Sequence, residues 1–470
     1  MLTRLEVDGF KNLLNLQVDL SPFTCIAGVN GAGKSNLFDA IQFLSLLASK
    51  SFLDAAQEVR GVVHGARLGD PRDLFWNGYA AGEHRMKFAA EMIVPQEVVD
   101  DFGRQARPST TYLRYELELG YIPPTGAEKI GRIGLLAENL RHIKLGEAAT
   151  RLRFPHSTAK FRKAVLTGHR SGIAFISTSL NGSQAIVSIH QDGGSRGQPK
   201  PAAADRAPAT VVSTVTSSDD PTILAVRREM QSWRRLALEP SALRASDQYV
   251  DPQVMDSTGL HLPATLRRIG YEDGDPDRVY ARVAGRLTDL SGLSVRRIRV
   301  DEDDVRELLT VELTESGGMT LPARSLSEGT LRFLALCVLL EDPSVQGLLC
   351  MEEPENGIHP ANSEAMVDLL RDLAVDAHEA PGPENPFRQV IINTHSPYVV
   401  QLVDPQDLLF ADTALVRAPN ESLASGLLLR PLAGTRRAAG RSEVPPVTRP
   451  DILPYLTTPP GAQLSLEITA

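Results

Sequence analysis

Cysteine is scarce: the chain holds three, Cys25, Cys337 and Cys350, each inside an apolar run and none in a C-x-x-C pair. That excludes a disulfide framework and a cysteine metal cluster, and leaves buried, reduced thiols of the kind found in the cytosol. Long hydrophobic runs are missing as well. The longest candidate, LRFLALCVLL, falls far short of the roughly 20 apolar residues that span a bilayer, so no membrane partner is expected. The opening MLTRLEVDGF lacks the architecture of a secretory signal, and a cytoplasmic location follows as the expectation. Positive charge is not in surplus either: 49 Lys plus Arg face 58 Asp plus Glu, for a net −9. This balance argues against a blanket nucleic-acid binder and still allows a local basic surface. No internal repeat and no heptad run long enough for a coiled-coil arm is present. What remains is a 470-residue chain, 42% hydrophobic, with material for two or three structural units.

The chain is organised around GVNGAGKS, Gly28 to Ser35, which fits G-x-x-x-x-G-K-[ST]. Upstream, PFTCIAG reads as a short strand ending on glycine. Downstream, Leu37, Ala40, Ile41, Phe43, Leu44 and Leu47 recur at helical spacing. Strand, glycine loop and helix are the setting in which backbone N–H groups cradle phosphates at a helix N-terminus. Gly28, Gly31 and Gly33 let the backbone approach the ligand closely. Lys34 is placed to reach the β- and γ-phosphates, and the Ser35 hydroxyl to coordinate Mg²⁺. Asn30 and Asn36 complete the candidate nucleotide contacts. The expected ligand is ATP or GTP.

Three further stretches supply what a phosphate loop lacks. In LLCMEEPENGIHP, Leu348 to Pro360, an apolar strand ends in adjacent carboxylates. Glu352 is the candidate Mg²⁺ ligand, direct or through water, and Glu353 the candidate general base. In SLSEGTLRFLALCVLL, Ser327 precedes an amphipathic helix as a capping hydroxyl, with Glu328 and Gly329 behind it. The same letters also describe an ordinary capping box. In QVIINTHSPYVV, Gln389 to Val400, a buried strand ends at Thr394 and His395, where a histidine can sense or position a γ-phosphate.

The order of these motifs resembles ABC-type ATPase heads, and more narrowly the SMC/RecF-like group. DGFKNL, the GKSN ending, EEPENGIHP and NTHSP are similar to RecF and to the OLD (overcoming-lysogenisation-defect) ATPases. The resemblance covers residues 1–50 and 320–412, and the middle only loosely, through DSTGLHLPATLRRI. It implies an ATP- and Mg²⁺-dependent ATPase that dimerises on ATP, each nucleotide lying between one copy's phosphate loop and the other's signature motif. It further implies that Ser327 and Gly329 meet the γ-phosphate in trans, that Glu353 is the hydrolytic residue, and that His395 is the switch histidine. Two departures stand out: the signature reads LSEGT rather than LSGGQ, and Glu352 replaces the usual Asp. Both weaken a transporter reading. The glutamine loop of the group has no assigned counterpart, and the nuclease module of OLD proteins is not expected after the last motif.

The expected architecture is an α/β P-loop NTPase of ABC/RecF-like type with a mixed central sheet. Residues 1–125 and 300–415 form a split head. Residues 125–300 form an inserted, partly helical lobe with a mobile loop at 191–220, where large apolar residues are almost absent. Residues 416–470 form a C-terminal tail. Two roles fit. One is a sensor or scaffold gating a separately encoded nuclease or toxin in anti-phage defence. The other is a repair or recombination ATPase clamping duplex DNA, for which Arg227, Arg228, Arg234 and Arg235 around Trp233, or Arg296, Arg297 and Arg299, offer a basic surface.

Overall fold

A computed structural model describes residues 1–59, 70–77, 84–126, 129–168, 174–182, 184–192, 200–291, 294–417, 422–439 and 444–457. Its centre is a six-stranded sheet in the order Arg234–Leu236, Gly347–Glu352, Arg388–Thr394, Phe23–Ala27, Leu408–Arg417, Leu423–Pro431. The first five strands run parallel, and the last pairs antiparallel with Leu408–Arg417, so the sheet is mixed. Such a sheet must be covered on both faces, and its strands accordingly read as near-continuous apolar runs. The period of two divides those runs between two cores. Ile26, Leu348, Cys350, Ile391 and Leu409 face one; Cys25, Leu349, Met351, Val390 and Ile392 face the other.

The first core lies between this sheet and a second one. The phosphate-loop helix, Lys34–Leu47, fills it with Leu37, Ala40, Ile41, Phe43, Leu44 and Leu47, as the helical spacing predicts, and with Phe38 beside them. The second sheet has eight antiparallel strands, with Leu16–Asp19, Leu2–Asp8, Arg85–Ile93, Tyr112–Ile122 and Arg132–His142 in spatial sequence from one edge. Leu5 and Val7 point into the core, while Arg4 and Glu6, on the other face, pair with each other at 2.7 Å. The ladder between Tyr112–Ile122 and Arg132–His142 runs straight across the boundary expected at 125. The second core holds the helices Leu262–Asp273, Pro276–Ser291, Glu328–Glu341 and Ser363–Leu373. Beside them lies a smaller sheet built on Val295–Asp303 and Leu308–Glu315.

The middle of the chain is therefore shared among three sheets. Two expectations change with it, the mobile loop at 191–220 and the C-terminal tail. The helix that begins at Pro221 ends at Gln231, and Arg234–Leu236 turns back as a parallel edge strand against Leu349–Met351. Within 191–220, residues 193–199 lie outside the described residues. Lys200–Ala203, however, adds a strand to the eight-stranded sheet, and Val211–Thr214 is a helical turn with Val212 fully buried. Small residues suffice there because Glu138 satisfies the turn's first N–H groups, at 2.6 Å from Val211 N and 2.9 Å from Val212 N. In the tail, Leu423–Pro431 closes the central sheet with Leu427 and Leu429 inward. Arg437 is buried against the Ser21 and Thr24 hydroxyls. All three cysteines are buried and free, and burial pushes the Cys337 thiol up to about 12.

Candidate nucleotide site at the carboxyl edge of the central sheet

Strand register brings the three motifs together. Glu352 is level with Asn393, and Thr394 with Ala27, so the carboxylate strand, the histidine strand and the strand feeding the phosphate loop end side by side. In parallel sheets this carboxyl edge is where ligands bind. The loop leaves Ala27 through glycines at positive φ: Gly31 at 82° and Gly33 at 100°. Gly33 occupies the N-cap of the helix in the left-handed region, with no side-chain cap, so no side chain competes for the helix's first N–H groups. A Cβ at Gly33 would sit 2.2 Å from Asn12 Nδ2. Asn12 braces the loop: it accepts from Asn36 Nδ2 at 2.7 Å and donates to the Ala32 carbonyl at 3.4 Å.

Lys34 is buried, and its Nζ donates to the carbonyls of Gly28 at 2.6 Å and Val29 at 2.8 Å. Burial lowers its pKa, and the carboxylates of Glu353, Glu352 and Glu355 oppose that shift. The Ser35 hydroxyl donates to Glu352 Oε2 at 2.6 Å. The other Glu352 oxygen pairs with Arg235, whose second guanidinium nitrogen lies 2.9 Å from Asp39 Oδ1. Asp39 also pairs with Lys11.

Glu353 has φ of 46°, a left-handed conformation that a non-glycine residue adopts at a cost of about 1–2 kcal/mol. The turn is held by Asn393, whose backbone carbonyl and side-chain oxygen accept the Glu353 N–H at 3.0 and 3.2 Å. The strained backbone aims the carboxylate at two donors, Asn356 Nδ2 at 2.8 Å and His395 Nδ1 at 2.7 Å. Burial alone would raise the Glu353 pKa. Hydrogen bonds from Asn356 and His395, with the nearby His395 and Lys34 charges, outweigh it and hold the carboxyl below its usual value. Glu355 behaves oppositely: burial raises it despite the Thr394 hydroxyl.

Of the residues singled out in sequence, Gly28, Gly31, Gly33, Lys34, Ser35, Glu352, Glu353 and His395 thus share one edge. Asn30 is exposed at the loop's tip, and Asn36 turns to Asn12. Ser327, Glu328 and Gly329 stand apart. Ser327 caps Glu328–Glu341, its Oγ accepting from Thr330 N at 3.2 Å, and a Cβ on Gly329 would meet the Gly357 carbonyl at 3.0 Å. Among the described residues, no hydrogen bond ties this motif to the phosphate loop of the same chain. Sequence reasoning missed Asn12, Asp39 and Asn356 as site partners, and placed Arg235 on a nucleic-acid surface. Asp39 carried a faint signal: a lone carboxylate at a buried position of an apolar helix, one turn beyond Ser35.

Several of the remaining basic candidates are engaged elsewhere. Trp233 is buried and donates to Glu229 at 3.0 Å, while Arg227 and Arg228 pair with Asp101. Arg297 pairs with Asp277 at 3.1 Å and Arg299 with Glu312 at 2.6 Å. Among the described residues, no helix is long and apolar enough to cross a membrane.

Comparison with known proteins follows the same division. A family model described as "AAA domain, putative AbiEii toxin, Type IV TA system" matches residues 241–401, which carry Ser327, Glu352, Glu353 and His395. A second AAA-domain model matches residues 4–58, which carry the phosphate loop. The chain is 38% identical over 69 residues to structural maintenance of chromosomes protein 1B of Mus musculus, and 39% over 70 residues to its Homo sapiens counterpart. Each match takes in 14% of this chain and 5% of the relative. Among solved structures, an SmcHead bound to the C-winged helix domain of ScpA aligns over 90% of this chain and 97% of its own, at 14% identity and a TM-score of 0.41. The SMC head domain from Thermotoga maritima aligns over 91% and 98%, at 12% identity and a TM-score of 0.37. Both halves of the site lie in segments that match AAA-domain models, on an α/β fold with a mixed central sheet.

Proposed function

We propose that this chain is an ATPase head that binds ATP with Mg²⁺, pairs with a second copy on ATP, and gates a separate effector protein, a nuclease or toxin. The observation that carries the reading is the convergence of Ser35, Glu352, Glu353 and His395 around a loop that already holds Lys34. Lys34 would exchange two loop carbonyls for phosphate oxygens, a substitution of acceptors that leaves its charge in place. The donor set suits Mg²⁺: Ser35 Oγ and Glu352 Oε2 are hard oxygens already in contact. When bound, the ion would neutralise charge on the β- and γ-phosphate oxygens. Glu353, kept ionised, would accept the proton of the attacking water, and His395 Nδ1 would hold its carboxylate in line. Gly28, Asn30, Gly31, Gly33 and Asn36 would line the triphosphate.

The signature motif would act in trans. Ser327 and Glu328 are exposed at the start of a helix and, among the described residues, make no hydrogen bond to their own phosphate loop, as a γ-phosphate contact offered to a second copy requires. The description of the matched family model names a putative toxin of a type IV toxin–antitoxin system, which supports a toxin–antitoxin setting for the head. The SMC relatives support the second reading, a clamp on duplex DNA, although several of the arginines that would serve it are ion-paired.

Light scattering on Glu353→Gln separates these readings. The mass should double with ATP and Mg²⁺, and stay single with Ser327→Arg added. A mass unmoved by ATP would refute pairing. Duplex DNA retained by the ATP-bound form at low salt, and lost as salt rises, would transfer the role to the DNA clamp.

A further inference from the structure

We propose that Arg235 is a positioning residue for Glu352, fixing which carboxylate oxygen faces the metal corner of the site. The inference rests on the Mg²⁺–ATP reading above. Arg235 belongs to the edge strand Arg234–Leu236, where it is level with Cys350, two residues before Glu352. Its guanidinium bridges two carboxylates from different elements, Glu352 on the strand and Asp39 on the phosphate-loop helix. A planar fork with donors on two branches holds such a pair in fixed geometry; a lysine point charge does not.

The pairing leaves Glu352 one oxygen free of Arg235, and that oxygen accepts the Ser35 hydroxyl at 2.6 Å. Asp39 lies four residues after Ser35, on the same helix face, and Lys11 secures it from the other side. A continuous chain thus runs Lys11, Asp39, Arg235, Glu352, Ser35, and its last two members are the proposed metal ligands. Arg235 and Glu352 are both half-buried, so solvent screens the contact only in part. Partners that orient a ligating carboxylate in this way typically govern metal affinity by about 10–100-fold.

Replacing Arg235 should change metal affinity and leave metal-free nucleotide affinity alone, because no contact joins it to the loop backbone or to Lys34 among the described residues. The test is Mn²⁺ binding, counted by electron paramagnetic resonance with a non-hydrolysable ATP analogue, in wild type, Arg235→Ala and Arg235→Gln. Fluorescent-ATP affinity in EDTA is measured alongside. The expected result is Mn²⁺ binding weakened by about 10–100-fold with EDTA affinity within about twofold of wild type, and Arg235→Lys falling between. If Arg235→Ala does not fold, Arg235→Gln and Asp39→Asn decide by the same criterion. Mn²⁺ affinity unchanged in the folded variants overturns the role of Arg235 while the ATP reading stands. A wild type that binds no nucleotide overturns both.

Discussion

Ser35 Oγ lies 2.6 Å from Glu352 Oε2, joining residues 317 positions apart in the chain. That contact closes the site: it ties the start of the phosphate-loop helix to the end of the carboxylate strand. The strand feeding the loop and the carboxylate strand are not neighbours. Arg388–Thr394 lies between them in the sheet, so the contact exists only once all three strands are in register.

Lys34 is the first test of ligand binding. Among the described residues its Nζ hydrogen-bonds only to the loop carbonyls of Gly28 and Val29, so Lys34→Ala should leave folding intact and remove the phosphate contact. We expect ATP affinity to fall at least about tenfold, or about 1.4 kcal/mol, by calorimetric titration, with the melting temperature little changed. Equal affinity in the variant would remove Lys34 from the site.

Gly33 tests the loop's backbone. Its φ is 100°, and Asn12 lies 2.2 Å from the point a Cβ would occupy, so Gly33→Ala must both strain the backbone and displace the Asn12–Asn36 brace. The expected cost is about 1–3 kcal/mol of stability in urea unfolding, with weakened nucleotide binding. A variant as stable as wild type would mean that the loop is freer than its φ values imply.

Glu138 sets a pH dependence far from the site. It is wholly buried, accepts from Val211 N, Val212 N and the Tyr115 hydroxyl, and burial pushes its carboxyl up to about 7 although those bonds oppose the shift. The folded chain therefore keeps a proton that the unfolded chain loses above an ordinary value of 4.5. The contribution to stability is fully present below the unfolded value and is lost as pH rises through about 7. Unfolding in urea at about pH 5 and about pH 7.5 should show wild type losing more stability on the upward step than Glu138→Gln. Parallel losses would place Glu138's titration in its ordinary range.

Much of the candidate site's geometry is legible in the sequence because the proposed chemistry rests on short motifs at strand ends. GVNGAGKS, EEPE and NTHSP each sit where an apolar run stops, and parallel pairing of those runs is enough to align them. Arg235 was hidden by period: LAVRREMQSWRRL keeps helical spacing through Trp233. The strand that follows Ser232 is specified by pairing with Leu349–Met351, a contact no local window contains. The ordered turn at Val211–Thr214 was hidden by composition. Ala, Thr and Val look like linker until Glu138, 73 residues earlier, supplies the acceptors. Asn12 lay in plain view within DGFKNL, but nothing local marks it as the loop's brace.

The central claim is hydrolysis at the acidic pair. Steady-state release of phosphate from ATP with Mg²⁺, compared between wild type and Glu353→Gln, tests it most directly. The prediction is turnover in wild type, a loss of about 10²–10⁴-fold in the variant, and ATP affinity within a few-fold of wild type in both. Equal turnover in Glu353→Gln, or none in wild type despite bound ATP, would contradict it.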